Sequence, residues 1–497
     1  MNVFGDHMEN QKKGMNYEWV VLSVTTLGVL MAVVQSSAIL IALPDMMSAL
    51  HLSFLTIMWV MLSYMLVTTA LVPLFGRLSD MYGRKKFYVI GFAVFTFGSL
   101  LCGLAQPQYC GSDLICYRII QGIGGALIIA NSTAMVTDAF QGKSLGLGLA
   151  INGIAAATGL VIGPVIGGML TTFGWEWIYF LNVPLGAAGT IWAFIRLREP
   201  TQKRIKENFD WWGSVTFIIG IGTLLLAISI YAFPIWSMSI IYLMFIVGII
   251  FIGLFLWTEY SATSPMLDLK LFKKRDFTIG NTTNLLNGLA RSSAVFLLIF
   301  YFQGPYGQDP LTAGLSLIPF GLSMIVIGPL SGSLSDRRGA KTLTIMGLVL
   351  TAIAMLGFSF INENTPFLIL TILMIIMGAG GGLFTSPNSN SIMRSVSPKQ
   401  RGTAAGTRAM LTNVGSMVGM AVAIPMVLSN IPEADMIQLF IYGGGINPDI
   451  LDIFESGLHS AFFLFFLTSV LAVVIALFRT KNNAEDNLLY NDTKQSL

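Results

Sequence analysis

Apolar runs of about twenty residues recur along the chain, separated by short polar segments. An α-helix rises about 1.5 Å per residue, so roughly 20 mainly apolar residues cross a hydrocarbon layer about 30 Å thick. Fourteen such spans are predicted, at 19–43, 54–75, 87–106, 114–136, 145–172, 178–197, 213–232, 238–257, 277–303, 311–334, 342–361, 367–387, 402–428 and 458–478. The first run is too long for the apolar core of a secretory signal and reads as a retained helix. The segment 429–457 is the longest loop between spans. The pattern specifies an all-α integral membrane fold in contact with a lipid bilayer.

Composition agrees with this reading. Only 11% of residues are charged and 54% are hydrophobic, whereas soluble proteins carry about 25% charged residues. Where the charges fall matters more than their sum. Arg77, Arg84, Lys85 and Lys86 follow the second span, and Arg196, Arg198, Lys203, Arg204 and Lys206 follow the sixth. Lys270, Lys273, Lys274 and Arg275 follow the eighth, Arg337, Arg338 and Lys341 the tenth, and Arg394, Lys399 and Arg401 the twelfth. The intervening loops hold acids such as Asp45, Glu176, Asp309, Glu363, Glu433 and Asp435, without Lys or Arg. Basic loops stay on the cytoplasmic side. A multi-pass protein of the cell membrane with both termini cytoplasmic is expected.

The chain also repeats itself. Gly76-Arg-Leu-Ser-Asp-Met-Tyr-Gly83 resembles Gly332-Ser-Leu-Ser-Asp-Arg-Arg-Gly339, at an offset of 256 (332 minus 76). The same offset aligns Pro73 with Pro329, the glycines following Ile119 with those following Ile375, and Gly146, Gly159 and Gly163 with Gly402, Gly415 and Gly419. A constant offset over four spans indicates duplication. Spans 1–6 and 9–14 are then two six-helix bundles of like topology, a parallel repeat with substrate bound between the halves. Spans 7 and 8 are an inserted pair. The boundaries expected are a tail at 1–17, a bundle at 18–200, a hairpin with its linkers at 201–275, a bundle at 276–480 and a tail at 481–497.

Several polar features inside this apolar frame point to chemistry. In the loop from Gly76 to Lys86 the glycines permit a tight turn, and Asp80 can face a helix N-terminus or pair with Arg84. An ordinary basic loop explains Arg84, Lys85 and Lys86, but not Asp80 or its repeat, Asp336. Arg118 lies in the fourth span. An arginine there costs a few kcal/mol and faces a cavity, unless it snorkels toward Asp113. Gly159, Gly163, Gly167 and Gly168, with Pro164, give small residues at four-residue spacing, which lets helices approach closely.

These motifs resemble the major facilitator superfamily. The loop from Gly76 to Lys86 matches its signature, and the resemblance implies a cytoplasmic gate formed by Gly76, Asp80, Gly83 and Arg84 with Asp138, and by Asp336 in the second copy. There Ala340 replaces Arg84, so the lock is expected to be stronger in the first half. Arg118 with Gln121 and Gly122 matches a family arginine motif, and Gly159 to Gly168 resembles the motif of its exporters. The segment from Trp175 to Gly186, Pro265 to Phe272 and the extra helix pair look like the fourteen-helix drug:proton antiporters. The resemblance implies efflux of a small amphipathic substrate coupled to a proton gradient, with uptake or exchange of a small organic anion as the alternative. One departure is notable: Gln35 stands where that family carries a titratable aspartate.

The offset aligns Gln35 with Arg291. Both lie at a depth similar to that of Arg118, so the three are expected to form one polar layer in the cavity. Arg408 lies nearer the cytoplasmic end, and snorkelling explains it. No acid is expected deep within a span, so the cavity field is positive and favours anionic or neutral amphipaths. Tyr64, Asn152 and Gln303 are further lining candidates. Most of Trp19, Trp59, Trp175, Trp177, Tyr301 and Tyr306 are expected in interfacial belts. Cys102, Cys110 and Cys116 form neither a disulfide framework nor a zinc pattern, and free thiols are expected. Neither a catalytic grouping nor a Walker sequence is present, so enzyme activity, ATP-driven transport by this chain and nucleic-acid binding are disfavoured. No cofactor or metal is implied, and a monomer is expected.

Overall fold

The computed structural model describes residues 17–140, 145–199, 211–231, 236–262, 265, 267–396, 400–428, 431 and 448–480. These form α1 (Tyr17–Leu50), α2 (Phe54–Tyr82), α3 (Arg84–Gly103), α4 (Ser112–Ala139), α5 (Leu145–Thr171) and α6 (Trp177–Phe180 followed by Asn182–Arg196). Then come α7 (Trp211–Tyr231), α8 (Met238–Ser261), α9 (Arg275–Gln303), α10 (Pro310–Ser316 followed by Ile318–Arg338) and α11 (Ala340–Phe358). The series ends with α12 (Phe367–Arg394), α13 (Arg401–Leu428) and α14 (Pro448–Leu477). Thirteen stretches among the described residues are long and apolar enough to cross a membrane, and α5 fills the remaining predicted run. No strand occurs among the described residues, as expected where lipid cannot satisfy an open sheet edge.

Several helices outrun their apolar cores. α1 continues through Pro44 and Asp45 to Leu50, α2 runs seven residues beyond the predicted 75 to Tyr82, and α14 starts at Pro448, ten residues before the predicted 458. Hydropathy reads the thickness of the bilayer, whereas a helix persists as long as its backbone hydrogen bonds are made. Asp45 and Glu455 therefore lie within helices, and Glu259, near the end of α8, is buried at 2% exposure. All three lie in the extensions beyond the predicted spans, so the helices carry acids that the apolar runs exclude.

The packing repeats with the sequence. In the first half α1 packs on α4, α5 and α6, α2 on α4, and α3 on α4 and α6. In the second half α9 packs on α12, α13 and α14, α10 on α12, and α11 on α12 and α14. The halves meet through α5 against α10 and α2 against α13, two contacts related by the same duplication. The inserted pair sits at one of these seams, with α7 against α2 and α13 and α8 held by α7. The most apolar stretch of α8 is 17% buried, against 67% for α1, so α8 presents its side chains to lipid.

The apolar core is continuous at one end and divided at the other. Toward the acidic loops, Leu40 and Leu43 of α1, Met61 of α2, Phe300 of α9, Phe320 of α10 and Met417 of α13 belong to a single cluster spanning both halves. Toward the basic loops the clusters are confined to one half each. Val24, Phe92, Phe95 and Ile128 form one, Phe277, Ile392 and Ala404 another, and Leu348, Phe384 and Ala476 a third. Among the described residues, the apolar cluster shared by both halves lies toward the acidic face, and those toward the basic face stay within one half.

Glycines make the joined end possible. A Cβ on Gly168 would run into the Pro310 carbonyl and stand 2.6 Å from Leu311 Cα, and one on Gly314 would stand 2.5 Å from the Pro164 carbonyl. The α5 and α10 backbones therefore touch. A valine at 168 is expected to wedge this seam open at an overpacking cost of ~1–3 kcal/mol. In a background lacking Cys102, Cys110 and Cys116, an Ala42→Cys reporter should react about tenfold faster with an impermeant maleimide added at the acidic face once Gly168→Val is present. An unchanged rate would show that this contact does not hold the face closed.

Candidate functional site

The turn between α2 and α3 is made by Gly83 alone. Its φ of 116° is one that side chains rarely adopt, and its N–H donates to the Ser79 carbonyl at 2.8 Å. Gly76 lies inside α2 with open space beside it, so it is not the second hinge that the sequence suggested. Gly339 repeats the turn, with φ 82° and its N–H on the Ser335 carbonyl at 3.0 Å. The side chains of Arg77, Asp80, Asp336, Arg337 and Arg338 lie outside the described residues.

Arg84 opens α3 and reaches the end of α4, where its guanidinium pairs with Asp138 and donates to the Ala134 carbonyl at 3.1 Å. A carboxylate in the last turn of a helix opposes the helix dipole, and the arginine offsets that cost. Both side chains are 21% exposed, so solvent only partly screens the pair. In the duplicate, position 340 is alanine and position 394 is arginine, so neither partner of the pair is repeated. The second half carries a different clasp. Arg479, buried past the end of α14, donates to Thr344 Oγ1 of α11 at 3.3 Å and to Asn388 Oδ1 of α12 at 3.0 Å. Its carbonyl accepts from Lys341 Nζ at 2.6 Å, and Thr480 bonds Asp276 of α9. Sequence reading missed this clasp; Thr344 and Asn388 lie in the polar ends of α11 and α12 nearest the basic loops, where nothing in the sequence marks them out.

Arg118 is 1% exposed. Its Nε donates to the Val60 carbonyl at 3.0 Å, its Nη1 to Gln121 Oε1 at 2.5 Å, and its guanidinium lies 4.3 Å from the centre of the Tyr64 ring. Gln121 Nε2 then donates to Ser99 Oγ at 2.7 Å. The charge is thus spread over a carbonyl, an amide and a π face, and it does not snorkel to Asp113. Asp113 instead accepts from the Gln106 and Leu114 amides.

The expected layer of Gln35, Arg118 and Arg291 does not assemble. Gln35 Oε1 accepts from Asn182 of α6, on the far side of α1, and its Nε2 is buried without a partner. Arg291, partly exposed, donates to Met324 Sδ at 3.3 Å and lies against Gly381. Equal depth does not bring together side chains that leave their helices in different directions. Of the other lining candidates, Asn152 is taken up by Thr26 and Ser132. Gln303 donates to the Ile41 carbonyl of the opposite half at 3.0 Å. Trp175 and Tyr301 are core residues rather than belt residues. All three cysteines are free thiols.

The exporter-like motif of α5 serves packing in two directions. Gly159 and Gly163 face Val33, Val34 and Ser37 of α1, and Gly167 faces the Ala38 backbone. Ser37 Oγ also donates to the Gly159 carbonyl at 3.0 Å. Gly168 and Pro164 meet α10 of the other half. The motif grips its own bundle and also touches the opposite one.

Residues 25–265 and 282–495 match the family model described as Major Facilitator Superfamily. The riboflavin transporter RibZ of Clostridioides difficile is 32% identical over 408 residues, covering 82% of this chain and 88% of that protein. Multidrug resistance protein 3 of Bacillus subtilis is 30% identical over 420 residues, covering 82% of this chain and 79% of that one. The crystal structure of a D-xylose-proton symporter superposes with a TM-score of 0.64 at 15% identity, covering 94% of this chain and 99% of that one.

Two substitutions test the polar contacts. Arg84→Ala and Asp138→Asn should each lower the thermal unfolding midpoint, and the double variant should be no worse than the worse single one, giving a coupling of about 1 kcal/mol. Additive losses would mean the pair is incidental. Arg118→Lys keeps the charge but cannot reach the Val60 carbonyl and Gln121 while stacking on Tyr64. It should destabilise by ~2–4 kcal/mol, and an unchanged midpoint would contradict that geometry.

Proposed function

The chain belongs to the Major Facilitator Superfamily, and from that premise we propose that it exports small amphipathic compounds in exchange for protons by alternating access. It is a multi-pass membrane transporter of small molecules rather than an enzyme. The core, continuous at the acidic face and divided at the basic face, carries the mechanistic reading. A substrate enters between the halves from the basic side, which the placement of Lys and Arg makes the cytoplasm. The glycine seam of α5 and α10 must then part to release it at the opposite face. Sequence relatives named for multidrug resistance and for riboflavin transport support amphipathic, ring-bearing cargo. Uptake or exchange of a small organic anion is the weaker reading, because the exporter-like motif of α5 lies on the moving seam.

Proton coupling in this reading cannot use position 35, where glutamine does not titrate. In this reading it uses acids at the helix ends, such as Asp80, Asp113, Asp138 or Asp336. Asp80, Gly83, Arg84 and Asp138 act as the gate at the basic face, and Arg118 fixes α4 to α2 beside the cleft.

Proteoliposomes holding the purified protein test this with ethidium and riboflavin as probes. An imposed pH gradient should drive flux of at least one of them, and a protonophore should abolish it. Asp80→Asn and Arg118→Ala should bring the rate down to that of empty liposomes. Flux indifferent to the gradient removes the antiport, and flux unaffected by both substitutions removes the site assignment.

A further inference from the structure

Three arginines of this structure have oxygen acceptors fixed on them: Arg84 holds Asp138 and the Ala134 carbonyl, Arg118 the Val60 carbonyl and Gln121, and Arg479 holds Thr344 and Asn388. Two do not. Arg291, inside α9, has one partner among the described residues, the thioether of Met324 at 3.3 Å. A thioether is a weak acceptor for a group with five N–H donors. Arg408, inside α13, is partly exposed, and its Nε is shut off from solvent without a partner. Neither forms an ion pair with a described residue.

The two stand at successive levels of the second half, on α9 and on the α13 packed against it. Asn284 and Arg291 stand two turns apart on one face of α9, about 10 Å along the axis. Asn284 Nδ2 donates to the Arg408 carbonyl at 3.0 Å and to Thr412 Oγ1 at 2.5 Å, which sets Arg408 at the lower of these levels. Ala290, Ala294 and Met410 belong to the shared core of the acidic end. Both arginines lie at the level of the last members of that core, and both are partly exposed. Gly381 leaves room beside Arg291, since a Cβ there would stand 3.3 Å from Nη1. An arginine within a span is tolerated where it is paired or faces a water-filled cavity, and these two keep most of their donors for another molecule.

We infer that Arg291 and Arg408 form a two-point site for a small organic anion, a carboxylate or phosphate ester, carried as cargo. The inference rests on the export reading and narrows its substrate class. The planar fork of Arg291 takes the anionic head in two parallel N–H···O bonds. Arg408 attracts the anion nearer the basic face and hands it inward. The apolar remainder of the molecule lies on Met324 and the methionines of the adjoining core.

Two xanthene dyes of similar size and opposite charge separate this from a charge-blind cavity. Binding of 5-carboxyfluorescein, an anion, and rhodamine 123, a cation, is measured by fluorescence anisotropy on the full chain in phosphatidylcholine nanodiscs. The anion should bind more tightly. Arg291→Gln and Arg408→Gln should each weaken it roughly 10- to 100-fold, the loss that accompanies one charge-assisted contact, without weakening rhodamine 123. Arg291→Lys should fall between, because an ammonium keeps the charge but not the fork. Raising salt from about 0.05 to about 0.5 M should weaken anion binding to the wild type, a readout that needs no variant to fold. Equal binding of the two dyes, or anion binding indifferent to both glutamine substitutions and to salt, overturns the site. The assay uses no gradient, so a failed antiport leaves its outcome intact, and charge-blind binding leaves gradient-driven flux standing.

Discussion

Lipid gives apolar side chains nothing to gain by pairing with one another, so these helices adhere where their backbones can touch. Gly159, Gly163 and Gly167 bring α5 onto α1, and Gly415 and Gly419 do the same for α13 on α9. Those contacts build each half. The contacts between halves use the same device at Gly168 and Gly314, over a much shorter length. The structure thus has long glycine seams inside each bundle and short ones between them. The proposed alternating access needs that contrast, because the short seam is the one that must part.

Charge follows a second rule. A cation within the bilayer is tolerated when acceptors fixed by the packing surround it, and the chain meets this differently in its two halves. The first half uses a carboxylate at one end of α4 and a buried amide network around Arg118. The second lacks both members of the ion pair and anchors Arg479 on side chains of α11 and α12. The duplication kept the helix framework and its glycines while the polar contacts diverged, so the two bundles need not contribute equally to gating. The arginines left with few partners among the described residues, Arg291 and Arg408, both belong to the second half.

Much of the fold was legible in the chain. The apolar runs gave the spans, the offset of 256 gave the pairing of α1 with α9 and α5 with α13, and Gly83 and Gly339 mark real turns. The errors have two causes. Gly76 reads as a hinge in a loop pattern but lies within α2, because a helix does not stop where the hydrocarbon does. Gln35 was placed in a layer with Arg118 and Arg291 because depth can be counted along a sequence, while direction around the axis cannot. Trp175 and Tyr301 lie at depths typical of interfacial aromatics, yet both turn into the core.

Sequence alone determined where the long apolar helices run, that the two halves repeat each other and where the basic residues cluster. Those properties depend on distance along the chain and on the solvent each stretch must face. The tertiary structure decided which polar groups are satisfied, where the halves join and where they part. Those depend on rotation about helix axes and on partners far away in the chain, such as Gln303 on Ile41 or Arg479 on Asn388. Hydropathy averages over that rotation, so only packing could resolve it.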